Sequence, residues 1–168
     1  SNKMIGVISY IFERMDEVTP LMLQKLLYYI QGFSFALNDR EMFIENCEAW
    51  VHGPVYKDVY NIFKHFRYNV IDDPKFVMFE GYKKYLDDKD KYIIDLVVNT
   101  FGQYGGKILE KTTHKESPWL LARNGFGENV PSNEIISKET IKEYFHELIN
   151  EYDISKEENI KDILIAPK

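Results

Sequence analysis

Residues 20–37 restrict the fold of this chain more than any other stretch. Leu21, Leu23, Leu26, Leu27, Tyr28, Tyr29, Ile30, Phe33 and Phe35 recur through it and leave few wet positions. A helix that is apolar around most of its circumference has to be covered on all sides, so the rest of the chain must wrap it. Thr19-Pro20 supplies an N-cap followed by proline at the first helical position. Asn38-Asp39 ends the helix as a turn. Gln24 and Lys25 interrupt the apolar surface. A lysine there is costly unless it is paired or reaches water. A pairing of Lys25 with Glu48 is therefore expected, tying the central helix to the segment that follows.

That segment is Glu48-Ala49-Trp50-Val51-His52-Gly53-Pro54-Val55-Tyr56. Gly53 can adopt backbone angles that other residues avoid. Pro54 has a helix-compatible φ and no N–H, which suits a helix's first turn. The segment reads as extended chain over 42–52, a tight corner, then a helix over 56–66. Val55, Tyr56, Val59, Tyr60, Phe63 and Phe66 lie on one side of that helix. Trp50 and His52 are expected to fasten the corner to the central helix.

Around these two features the periodicity predicts further helices. One covers 4–15, with Met4, Ile5, Ile8, Ile11, Phe12 and Met15 as its stripe. Another covers 89–103, with Tyr92, Ile93, Leu96, Val97 and Phe101 inward, and is broken by Gly102, Gly105 and Gly106. A shorter helix follows over 107–114. Ser117-Pro118-Trp119 repeats the cap-then-proline logic and opens a helix to Arg123. The clearest helix is 138–151, with Ile141, Tyr144, Phe145, Leu148 and Ile149 buried. Phe76 to Phe79 reads as a short strand pairing with 47–52. Ser155 and Glu158 form a capping box for a last helix. The expected fold class is mainly α (α+β): a compact bundle of about six to eight helices around a central apolar helix, with a small two- or three-stranded β element. At 168 residues the chain is most simply one domain, 1–168, with an acidic helical extension over 153–168.

The chain carries a net charge of −6, which points away from nucleic acid, because such binding needs clustered cations. No run of about 18 apolar residues predicts a membrane span, so no membrane partner is expected. A lone cysteine, Cys47, and no secretory signal make the cytoplasm the expected compartment. The four histidines, His52, His65, His114 and His146, have no i, i+4 pair, so neither metal nor cofactor is expected. Cys47 reads as a small buried thiol rather than a nucleophile. No nucleophile elbow or phosphate loop occurs, and the chain reads as no enzyme. The enzymatic alternative is a hydrolase or nuclease-like site centred on His52 and His114, with Glu48 or Glu116 as partner. It requires both imidazoles in one wet cleft. Thr113-His114 through Pro118-Trp119 offers a surface knob, but Trp119 in the core with His114 holding the loop by a backbone hydrogen bond is the expected arrangement. Lys107, Lys111 and Lys115 form a basic edge if their helix runs that far. Glu143, Glu147 and Glu151 form its acidic counterpart.

Leu23-Gln24-Lys25-Leu26-Leu27-Tyr28-Tyr29 resembles the LQKLLYY opening of the Panacea domain, the SocA-like antitoxin and GepA-like phage-associated family. Glu48 to Val55 is similar to that family's EAW-x-HGPV signature, and Thr113-His114 through Pro118-Trp119 to its T-H-x-x-x-P-W block. Lys25, Glu48, Trp50, His52, Gly53, Pro54, His114, Pro118 and Trp119 thus form the structural signature. The resemblance spans 19–150. It implies a mainly helical domain without known enzymatic activity, which neutralises a cognate protein toxin by direct contact and often belongs to a prophage or mobile element. Adaptor delivery of a partner to a protease is a further alternative with the same binding physics. Expected partner contacts are Tyr56 and Tyr60, as exposed aromatics near the corner, and the edge of Lys107, Lys111 and Lys115. Homo-oligomerisation is left open.

Overall fold

The structure, a computed structural model, describes residues 1–72 and 74–153, the side chains of 74–78 excepted. The expected capping box at Ser155 and Glu158, and the extension past Asp153, lie outside the described residues. Helix α2 (Pro20–Asn38) is the centre. Thr19 Oγ1 accepts from Met22 N, and Asp39 closes the helix at φ 54, a left-handed angle that Asp tolerates. Every residue from Leu23 to Phe35 is buried.

Its wrapping is supplied by α1 (Asn2–Arg14), α3 (Lys57–Phe63), α4 (Asp88–Phe101), α5 (Gly106–Thr113), α6 (Ser117–Ala122) and α7 (Lys138–Glu151), of which α3, α4, α5 and α7 pack directly on α2. The aromatic residues meet at this centre. Tyr29 stacks on Phe101 at 4.5 Å, and Phe33 meets Phe145 edge-on at 5.1 Å. Helix α4 begins with a capping box made by Asp87 and Asp90, and Arg40 grips both carboxylates. The stripe expected for α4 holds at Ile93, Val97 and Phe101. Tyr92 is instead 62% exposed and Ile94 is buried, because the helix is rotated to face both α1 and α2.

Two elements depart from expectation. Pro74–Tyr85 forms a 3₁₀ segment packed on α1 rather than a strand. The strand's partners come from elsewhere: β1 (Cys47–Trp50) pairs antiparallel with β2 (Gly53–Val55) and with β3 (Ile135–Ile136), in the order β2-β1-β3. Gly53-Pro54 accordingly starts no helix. It begins the return strand of a hairpin whose loop is Val51-His52. Pro54 lies opposite Ala49 on an edge strand, where a missing N–H is tolerated. Helix α3 starts only at Lys57 and ends at Phe63, and a 3₁₀ turn, Lys64–Phe66, continues it.

Candidate partner-binding groove

The buried polar residues of α2 build the site from beneath. Gln24 takes both backbone groups of Tyr56: its Oε1 accepts from Tyr56 N at 2.7 Å and its Nε2 donates to Tyr56 O at 3.1 Å. Two turns on, Gln31 does the same for the chain before β1, accepting from Met42 N at 2.7 Å and donating to Phe43 O at 2.8 Å. These amides give hydrogen-bond partners to buried backbone groups, with Tyr56 O also accepting from Tyr60 N at 3.0 Å. Between them in effect, Lys25 Nζ donates to Pro54 O at 3.1 Å.

Lys25 is thus tied to the hairpin, but not through Glu48. The Glu48 carboxylate instead accepts from Trp50 Nε1 at 3.2 Å. The expected ion pair is replaced by a bond to a carbonyl because β1 alternates: Cys47 and Ala49 are its buried face, and Glu48 shares the opposite, half-buried face with Trp50. Burial pushes the Lys25 ammonium down to about 8, with Cys47 and Glu110 acting in the opposite sense. Burial likewise pushes the Cys47 thiol up to about 12, consistent with an inert core thiol.

The hairpin turns at Gly53. Val51 and His52 keep negative φ, and Gly53 takes φ +104. A Cβ at Gly53 would lie 2.8 Å from Lys25 Nζ and 2.9 Å from Thr113 Oγ1. The glycine is required both for its angle and for this close approach.

The far side of the hairpin is held by the Thr113–Trp119 stretch. Trp119 is buried and donates from Nε1 to Trp50 O at 2.8 Å. His114 lies against the Trp119 ring at 4.3 Å and is hydrogen-bonded to the Val51 backbone; burial lowers its pKa. Pro118 is buried in the first turn of α6, whose N-cap is Glu116 rather than Ser117. Arg123 is buried as well. It lies over the Trp119 ring and donates to the carbonyls of Ala49, Gly127 and Val130. Nothing in the sequence marks Arg123 out, because its acceptors are main-chain carbonyls, one on β1 and two in the loop just after α6.

Above Lys25 a groove of about 430 Å³ opens between the start of α2, the hairpin, α3 and α5. Trp50, Tyr60 and Phe63 form its apolar side, and Trp50 and Tyr60 meet edge-on at 4.9 Å. Tyr60 is 40% exposed and Tyr68, at the rim, 88%. Lys64, Arg67 and Lys107 add charge, and Arg67 holds φ +53, a strained angle for a long side chain. Glu110 lies at the same groove. Its Oε1 is 3.3 Å from His52 Nδ1, and its Oε2 is 4.0 Å from Lys107 Nζ.

The residues singled out from sequence are therefore divided. Lys25, Trp50, His52, Tyr60 and Lys107 come together at the groove. Tyr56 does not: it is 1% exposed, with its ring against Phe43 and its hydroxyl beside Cys47, so it cannot be an exposed contact. Its position just outside α3 turns it inward, whereas Tyr60 one turn on faces out. The basic edge is not one stripe, because α5 ends at Thr113. Lys107 faces the groove, Lys111 is exposed, and Lys115 lines a separate hollow with Glu147 and Glu151. Lys64, Arg67, Tyr68 and Glu110 were not foreseen. The Lys64–Arg67 spacing was the available signal, but the pattern weakens after 66. His52 and His114 have separate partners, and His114 does not line the groove. Among the described residues no group of three or more His, Cys, Asp or Glu could hold a metal, and no helix is long and apolar enough to cross a membrane.

Sequence comparison points the same way. Residues 23–120 match the family model described as "Antitoxin SocA-like, Panacea domain". The chain is 28% identical over 141 residues to Antitoxin SocA of Caulobacter vibrioides (strain NA1000 / CB15N), a match covering 76% of this chain and 72% of that protein. No solved structure matches. The matched region contains the LQK turn of α2, the hairpin, α3 and α5, which together form the groove, and on this evidence the chain belongs to the antitoxin SocA-like, Panacea domain family.

Proposed function

We propose that this chain is an antitoxin that neutralises a cognate protein toxin by direct contact, with the groove face at the centre of the interface, and that it derives from a prophage or mobile element. The observation that carries this reading is the coincidence of the family's matched segment with an exposed aromatic and cationic groove. Trp, Tyr and Arg are the side chains that most often anchor protein interfaces, and this face presents Trp50, Tyr60, Tyr68 and Arg67. The hydrogen-bonded frame beneath it supports a preformed surface, which lowers the ordering cost of association. A stable pair buries on the order of 1,200–2,000 Å² in total, so the groove is the core of a larger footprint. Occlusion of the toxin's active surface is the mechanism this implies. The cytoplasm is the compartment where such a pair would act.

The test is co-expression with the product of the neighbouring gene. That product should arrest growth alone and be harmless beside this chain, and the two should co-elute as one complex. Tyr60→Ala should weaken the complex by about 10- to 100-fold while leaving the fold intact. A neighbour that neither binds nor is toxic overturns the reading. No observation favours the histidine-centred enzyme, since His52 is paired with Glu110 and His114 packs on Trp119.

A further inference from the structure

The groove has a charge opposite to that of the whole molecule. The chain carries −6, yet the groove's charged lining is Lys25, Lys64, Arg67 and Lys107 against Glu110 alone. Lys25 adds a second observation. Its side chain is fully buried, and its ammonium has three N–H donors but one acceptor within hydrogen-bond distance among the described residues, Pro54 O. A buried cation this sparingly satisfied favours any anion that settles above it. The apolar side formed by Trp50 and Tyr60 asks for something else: a carbon surface beside the charge.

We infer that the groove seats an acidic and apolar segment of a partner protein, with an Asp or Glu carboxylate met by Lys64, Arg67 and Lys107 above Lys25, and a neighbouring apolar side chain against Trp50 and Tyr60. The inference rests on the partner-binding role proposed above and names the chemistry that role requires. A nucleic-acid strand fits less well. Its affinity comes from neutralising a run of phosphates, whereas this patch is short, holds Glu110, and belongs to an acidic molecule. A carboxylate pair instead gives register and salt-dependent steering at a small site.

The experiment uses the full chain and three fluorescein-labelled probes: a dodecapeptide alternating Glu with Leu and Tyr, its Gln counterpart, and a dodecamer of thymidylate. Anisotropy should show the Glu peptide binding at least about tenfold more tightly than the Gln peptide at low salt, with the difference shrinking as salt rises. The double substitution Arg67→Glu and Lys107→Glu should abolish that preference while the thermal melting profile is retained. Equal binding of the Glu and Gln peptides, or displacement of the Glu peptide by the thymidylate strand, overturns the inference. So does toxin neutralisation that survives the double substitution, although the antitoxin reading then stands. Glu-peptide binding by a chain that neutralises no toxin supports the inference and overturns that reading instead.

Discussion

Gly53 illustrates how one residue can carry two constraints. Its φ of +104 suits a residue without a side chain, and the space where a Cβ would go is occupied by Lys25 and Thr113. Gly125 shares only the first constraint: it has φ +91 with nothing within 4 Å. Gly53→Ala should therefore lower stability by about 2–4 kcal/mol and Gly125→Ala by about 1–2 kcal/mol, combining backbone strain with displaced packing in the first case only. Chemical denaturation of the two variants measures the difference, and equal losses would show that the contact with Lys25 is unimportant. Lys25 itself sets a pH signature. Its folded value of about 8 lies below the ordinary 10.5, so between these values the unfolded chain binds more protons. Stability should then rise with pH across that window, by up to about 1.4 kcal/mol per unit. Cys47, held near 12 when folded, pulls the other way above its ordinary 9. The contribution of Lys25 is isolated by the difference between the wild type and Lys25→Met, followed by denaturation from pH 8 to 10.5. A flat difference would mean that the ammonium is not desolvated. The sequence marked Lys25 as needing a partner but suggested the wrong one, because a carbonyl acceptor leaves no trace in residue identity.

At the scale of elements, α2 and α7 meet through a helical glycine. A Cβ at Gly32 would fall 2.2–2.5 Å from three ring carbons of Phe145. Glycine inside a helix costs about 1 kcal/mol relative to alanine, and here that cost permits the close seating of Phe145 among Tyr28, Tyr29 and Phe33. Gly32→Ala improves helix propensity yet should destabilise the protein by about 1–3 kcal/mol through overpacking. A raised melting temperature would refute this account. Helices were the most legible elements. The α7 boundaries and its buried Ile141, Tyr144, Phe145 and Leu148 follow the sequence pattern closely, since one amphipathic face carries the whole signal. Strands were the least legible. β1 was foreseen as extended chain, but its second partner, Ile135–Ile136, is only two residues long and distant in sequence. Short pairings of this kind are decided by the partner and not by local propensity.

Over the whole molecule, the apolar circumference of residues 20–37 required a central helix covered on all sides, and the structure has one. The class followed from that requirement together with the other helical stripes and the extended segment at 42–52: mainly helical, with a small sheet. The motifs were visible as motifs, and their order matched a family. Their division of labour was not visible. Tyr56 and Tyr60 look equivalent in the sequence, yet one is sealed against Phe43 and the other faces the groove. Lys107 and Lys115 look like one edge and serve two separate hollows. The sequence by itself determined which segments must be buried, because hydrophobic periodicity is a local property that any fold of this chain has to respect. Only the tertiary structure decided what Lys25 bonds to, which tyrosine is displayed and where the cations gather, because these depend on how distant segments are brought side by side.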